Sequence, residues 1–423
     1  MPWEKFREDH HKTNLALAFA SVAWMSLVVA ASRFIDFNEP YLPFAIAGAF
    51  VFYLRGNPSR WEIYIWLPIS AAFLKIIHLP EVPFWVLRVA SGMAVLGLGA
   101  IMLLGLQALW SDRRGRERAV MLLVPALVLI SFILAAAWAL RWTGVLNPRT
   151  DDAWLYAFDG SLGFQPSFLI GRAMYSSLFL TRITLLTYLS LPFAMGVVCA
   201  WRIQAGSTRI YWQMLGVLLL AGIAGGGLYN VIPVTGPLYA FGREFPWHSV
   251  PYQDLRTFVL QKMAIPIGIP RNGMPSLHVA WVILLCWNSR GLPLWLRGMM
   301  LFYALLTVIA TLGSGQHYLM DLVVSVPFAL AAQAAVAWRY VGRSQRVSSV
   351  FSGAALTFAW LILIRFGVAW MLVSPVIPWA LILASLGLSF FLEASGARSN
   401  ESNAIKMLRP ERPQAHSAAS GKM

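Results

Sequence analysis

Long apolar stretches separated by short polar ones run through almost the whole chain. Segments near 14–32, 41–55, 61–79, 84–109, 119–141, 176–201, 211–232, 276–289, 294–312, 317–338, 350–372 and 375–393 are dominated by aliphatic and aromatic residues. A helix of about 20 such residues crosses the ~30 Å hydrocarbon core, and in lipid only helices or closed barrels satisfy their own backbone. The pattern predicts an all-α polytopic membrane protein with about twelve transmembrane helices. The eighth segment is short: from Ser276 to Asn288 a helix rises only about 20 Å. Its start is therefore expected to be recessed, with Ser276 as the N-cap.

Composition agrees: 58% of residues are hydrophobic and 12% charged, against roughly 45–50% and about 25% in soluble domains. The formal charge of +15 is distributed by loop. With a cytoplasmic N-terminus, alternate loops collect Lys5, Arg7 and Lys12; Arg55 and Arg60; Arg113, Arg114, Arg116 and Arg118; Arg202 and Arg209; Arg290 and Arg297; Arg339, Arg343 and Arg346. That is the positive-inside pattern. It puts both termini in the cytoplasm and reads the charge as topology, with no nucleic acid as partner. Cys199 and Cys286, the only cysteines, fall in apolar segments, so no disulfide framework is expected. The first apolar segment lacks a small-residue cleavage site and reads as a retained span.

Three membrane blocks and a tail follow. Residues 1–118 form an accessory transmembrane bundle with short loops. Residues 119–346 hold about six spans and two long outer loops, near 142–175 and 233–275, and are expected to be the catalytic core, because sites are built from loops on a rigid scaffold. Residues 347–396 add two C-terminal helices. Residues 397–423 read as a disordered cytoplasmic tail. Trp and Tyr near the span ends read as interface belts.

The titratable groups narrow the chemistry. Of seven histidines, only His78, His248, His278 and His317 lie in the hydrophobic body. Asp321 is the one carboxylate well inside an apolar segment, where an ionisable group is expensive and usually functional; four residues after His317, it shares a helix face with it. Following the loops puts His278 and His317 at outer ends, with Asp321 one turn deeper. A histidine held by a carboxylate has a fixed tautomer and a free nitrogen able to attack, and a second histidine can protonate a leaving oxygen. This set suits phosphoryl transfer through a phosphohistidine: His317 as nucleophile, Asp321 orienting it, His278 as acid and then base. Ser276, Arg271 and Lys262 are the candidate phosphate-binding groups. Other readings use some of the same residues. Two His and one Asp suit a metal with open positions. Ser276 with His278 would suit a serine hydrolase, but no Gly-x-Ser-x-Gly turn is present.

At these residues the chain resembles the type 2 phosphatidic acid phosphatase superfamily. Its Pro-Ser-x-His motif is matched by Pro275-Ser276-Leu277-His278, and its His-x3-Asp motif by His317 and Asp321. Leu277, Tyr318, the segment Tyr229–Pro237 and Asp159-Gly160-Ser161-Leu162-Gly163 are similar to the inositol phosphorylceramide synthase branch. The chain departs from the superfamily in lacking a Lys-x6-Arg-Pro motif, and in carrying Ala310 and Thr311 where Ser-Arg usually precedes the histidine. The resemblance covers about residues 119–340. It implies a six-helix phosphatase-like core, an outward (periplasmic or luminal) active site, no metal and no cofactor. It also implies transfer of a phosphoryl-alcohol headgroup from a membrane phospholipid to a lipid alcohol. Simple dephosphorylation of a lipid phosphate is the alternative within the family. A lipid transporter or scramblase, with Arg365 and Lys75 lining a path, is the alternative outside it.

Overall fold

The structure is a computed structural model and describes residues 39–76, 85–204, 208–338 and 341–408. The first apolar segment and His78 lie outside the described residues. Every described apolar segment is helical: α1 (Leu42–Arg55), α2 (Arg60–Ile76), α3 (Trp85–Trp110), α4 (Arg113–Leu146), α5 (Asp152–Gly160), α6 (Pro166–Tyr175), α7 (Leu178–Leu189), α8 (Leu191–Gln204), α9 (Thr208–Leu228), α10 (Leu277–Asn288), α11 (Leu294–Gly313), α12 (Leu319–Val336), α13 (Arg343–Phe366) and α14 (Val376–Leu408). Strands β1 (Arg149–Thr150) and β2 (Met263–Ala264) pair antiparallel and pin the two long loops together.

An all-α membrane architecture is what forms, but the described residues do not support about twelve spans. Among the described residues seven helices are long and apolar enough to cross a membrane, or eight if one bent pair is a single span. Apolar length in the sequence is not the same as unbroken helix length. With 14 and 12 residues, α1 and α10 reach only about 21 and 18 Å. The segment expected as one span at 176–201 is the pair α7 and α8, bent by 55°. Pro192, which cannot donate to the preceding turn, follows Ser190 at that joint. The 350–372 segment breaks at Gly367. At the C-terminus α14 runs to Leu408, so a tail disordered from residue 397 is corrected as far as Leu408. The helix formers Ala, Arg, Glu and Lys recur there among Ser and Asn.

The innermost helix is α12. It is apolar on all sides, as a helix without a water face must be, and 78% of its most hydrophobic stretch is buried. Around it pack α9, α10, α13 and α14, with α5 against its N-terminal end. The 347–396 segment is thus part of the same packing unit as the site. The N-terminal bundle docks through α1, which packs on α3, α4 and α8. Where α1 crosses α8, a Cβ added to Gly196 would stand 2.9 Å from the Gly48 Cα. Small residues at such a crossing let membrane helices approach closely.

Candidate active site

The N-termini of α10 and α12 meet, and the two histidine motifs lie at that meeting point. The Ser276 N–H donates to the Asp321 carbonyl at 3.1 Å. The Ser325 hydroxyl reaches the carbonyls of both Ser276, at 2.9 Å, and Asp321, at 2.7 Å. The motif segments are therefore stapled through backbone, and their side chains inherit a fixed relation.

His317 is 1% exposed and Asp321 is fully buried. The His317 Nδ1 lies 3.1 Å from the Gly273 carbonyl oxygen and 3.3 Å from the Asp321 Oδ2. A carbonyl can only accept, so Nδ1 carries the proton and donates. That leaves the lone pair on Nε2, which faces the Ser276 Oγ at 3.3 Å. The same Oγ caps α10, accepting from the Val279 N–H at 3.5 Å. The His278 ring lies 6.5 Å from the His317 ring, centroid to centroid. An in-line phosphoryl group between an attacking nitrogen and a proton donor spans about 6–7 Å, from a ~3 Å approach, one P–O bond and a ~2.8 Å hydrogen bond. The two rings can flank one phosphorus atom.

Carboxylates of α5 and of α12 itself hold the His317 segment in place. Asp159 accepts from the Leu319 N–H at 2.7 Å and the Met320 N–H at 3.2 Å, capping α12 from a neighbouring helix. Asp321 accepts from the Tyr318 N–H at 2.8 Å, and the Ser167 hydroxyl donates to the His317 carbonyl at 2.9 Å. The Tyr229–Pro237 segment threads between the motif loops: the Gly273 N–H donates to the Val234 carbonyl at 3.0 Å. Gly236, at φ 93°, sits so close that a Cβ would meet the Gln316 carbonyl oxygen at 2.3 Å, so only glycine fits. Its N–H and that of Thr235 donate to Asp152, at 2.9 and 3.2 Å. Burial pushes the Asp152 carboxyl up to about 6, against the pull of its Thr150, Gly236 and Thr235 hydrogen bonds. It pushes Asp159 up to about 8, the Leu319 N–H opposing and the Asp321 charge adding.

The two basic candidates are not brought to His317. Arg271 is fully buried, and its guanidinium donates to the carbonyls of Asn147 (2.8 Å), Ile265 (2.9 Å), Pro266 (3.2 Å) and Ile269. It ties the 265–271 loop to the end of α4. Lys262 is exposed beside β2 and faces Asp151. Exposed His248 pairs with Glu244 at 3.1 Å, and Arg365 lies 4.0 Å over the Trp154 ring. Asp321 is joined as a buried carboxylate within a membrane helix by Glu393 of α14, which Arg290 neutralises.

Residues 153–335 match the family model of the PAP2 superfamily. The match runs from α5 to the end of α12, contains Asp159, Ser276, His278, His317 and Asp321, and supports phosphatase or phosphotransferase activity. No curated protein and no solved structure matches the chain. Within the matched segment, the Gly273 carbonyl and Ser167 are the partners of His317 that the sequence did not flag. A backbone carbonyl leaves no residue-type signal, and Ser167 reads only as a polar residue in the first turn of α6.

Proposed function

We propose that the protein is an integral membrane lipid phosphotransferase that moves a phosphoryl-alcohol headgroup from a phospholipid to a lipid alcohol through a phosphohistidine. The observation that carries this reading is the His317 ring, held at Nδ1 by the Gly273 carbonyl and Asp321 so that Nε2 is the basic nitrogen. In the first half-reaction the Nε2 lone pair attacks phosphorus, and the P–O bond to the lipid breaks. The departing oxygen takes its electron pair and a proton from His278. Asp321 balances the positive charge that develops on the His317 ring. In the second half-reaction neutral His278 takes the proton of the acceptor hydroxyl, whose oxygen attacks phosphorus, and the P–N bond breaks with its electrons returning to Nε2. The Ser276 hydroxyl and the first-turn N–H groups of α10 are the donors for the phosphoryl oxygens.

Transfer is preferred over hydrolysis on the likeness of Leu277, Tyr318 and the Tyr229–Pro237 segment to the inositol phosphorylceramide synthase branch. Dephosphorylation of a lipid phosphate uses the same residues with water as acceptor. In this reading both termini are cytoplasmic and the site opens to the opposite side. Product analysis on purified protein tests it: labelled phospholipid is supplied with and without a long-chain lipid alcohol. A new labelled lipid that requires the alcohol supports transfer. Free phosphate or headgroup phosphate released at the same rate with or without alcohol makes the protein a phosphatase.

A further inference from the structure

His278 is held differently from every other group at the site. Its ring stacks face to face on Tyr188 of α7, with centroids 3.8 Å apart and planes 16° from parallel. Tyr41, the residue that opens α1, stands against both, 5.6 Å from His278 and 6.2 Å from Tyr188. Tyr188 is almost fully buried, in a small cluster with Phe44 of α1, Ala90 of α3, Leu189 of α7 and Ala310 of α11. The stack is therefore backed by packing from both the N-terminal bundle and the core. Among the described residues no carboxylate or carbonyl hydrogen-bonds the His278 ring. An aromatic face attracts a cation, and unlike a hydrogen-bond acceptor it leaves both ring nitrogens available.

Resting on the reading above, we propose that Tyr188 and Tyr41 are positioning residues for His278: Tyr188 fixes the plane of the imidazole through its ring face, and Tyr41 braces Tyr188. The N-terminal bundle thereby completes the active site, because Tyr41 belongs to it. His278 gives a proton in one half-reaction and takes one in the next. Ring stacking constrains its direction without fixing its protonation.

The test compares two phosphate monoesters, dioleoylphosphatidic acid and p-nitrophenyl phosphate, which hand the same phosphoryl group to His317. The lipid alkoxide needs a proton to leave; p-nitrophenolate does not. Tyr188→Leu is expected to lower kcat on phosphatidic acid by about 10–100-fold with KM little changed, part of the range a general acid contributes, and to lower kcat on p-nitrophenyl phosphate by less than about 3-fold. Tyr188→Phe, which keeps the ring face, is expected to restore phosphatidic acid turnover to within about 3-fold of wild type, and Tyr41→Leu to lose about 3–10-fold with the same donor selectivity. The ratio between donors is independent of how much protein is folded. An equal loss on both donors, or no rescue by Phe, overturns this inference alone. A wild type that takes only phosphodiesters gives the same comparison with phosphatidylcholine and p-nitrophenylphosphorylcholine, and no turnover of any of the four, with or without added lipid alcohol, overturns the phosphohistidine reading and this inference with it.

Discussion

The two histidines of the site are held by opposite kinds of contact. His317 is gripped by polar groups: the Gly273 carbonyl and Asp321 at Nδ1, Ser276 at Nε2, and Ser167 on its own carbonyl. His278 rests on an aromatic face. The difference fits the roles proposed for each. A nucleophile needs one nitrogen unprotonated at every turnover, so a tautomer locked by fixed acceptors suits it. A proton shuttle changes charge twice per cycle, and stacking sets its direction with both nitrogens open. The aromatic face holds direction and leaves protonation free.

Substitutions probe that contrast most strongly at the shuttle. His278→Ala removes the proton donor, and turnover of a lipid donor should fall by about 10²–10⁴-fold, measured as release of the lipid alcohol. Asp321→Asn should cost less, about 10²-fold. The Gly273 carbonyl still holds the Nδ1 proton, so the charge beside the phosphohistidine is lost while the tautomer survives. A loss for Asp321→Asn as large as that for His317→Ala would mean that Gly273 does not hold the tautomer.

Arg271 sharpens the boundary between site and scaffold. Replacing it with Met leaves four carbonyls without their donor, and the thermal midpoint should fall with a destabilisation of about 2–4 kcal/mol. A phosphate-binding arginine would instead raise KM and leave the midpoint alone. The smallest effect is a pH dependence of stability. A carboxyl whose pKa is raised on folding contributes stability that is full below its unfolded value near 3.9 and is lost as pH rises through its folded value. With Asp152 at about 6 and Asp159 at about 8, the thermal midpoint should drop by several degrees between pH 5 and pH 8.5. Asp159→Asn should flatten the upper part of that drop. A midpoint that rises across this range would contradict the burial of these two groups.

Much of the site was legible because its side chains are expensive where they stand. Asp321 four residues after His317, and Ser276 just ahead of His278, are marked by polarity inside apolar sequence. What stayed hidden was marked by nothing local. Asp152 lies in a loop region of the sequence, which predicts solvent, yet it is fully buried where the Thr235 and Gly236 N–H groups meet it; Asp159, marked only by the resemblance, is buried against the Leu319 and Met320 N–H groups. Arg271 reads as a free cation until the carbonyls of residues 147, 265, 266 and 269 converge on it. Tyr188 and Tyr41 read as interface belts, since the sequence cannot say which ring meets which. The helical class and the short α10 were legible from hydropathy alone, and the span count was not, because the bend at Ser190–Pro192 and the break at Gly367 depend on where helices stop.

The account turns on a covalent bond between phosphorus and His317. Purified protein mixed with a phospholipid mixture labelled on phosphorus, and quenched without acid, should carry label on the peptide that contains His317. His317→Ala should carry none, while still unfolding in a cooperative thermal transition. Labelled lipid products from the wild type with no trapped label, or label that persists in His317→Ala, would contradict the assignment of His317 as nucleophile.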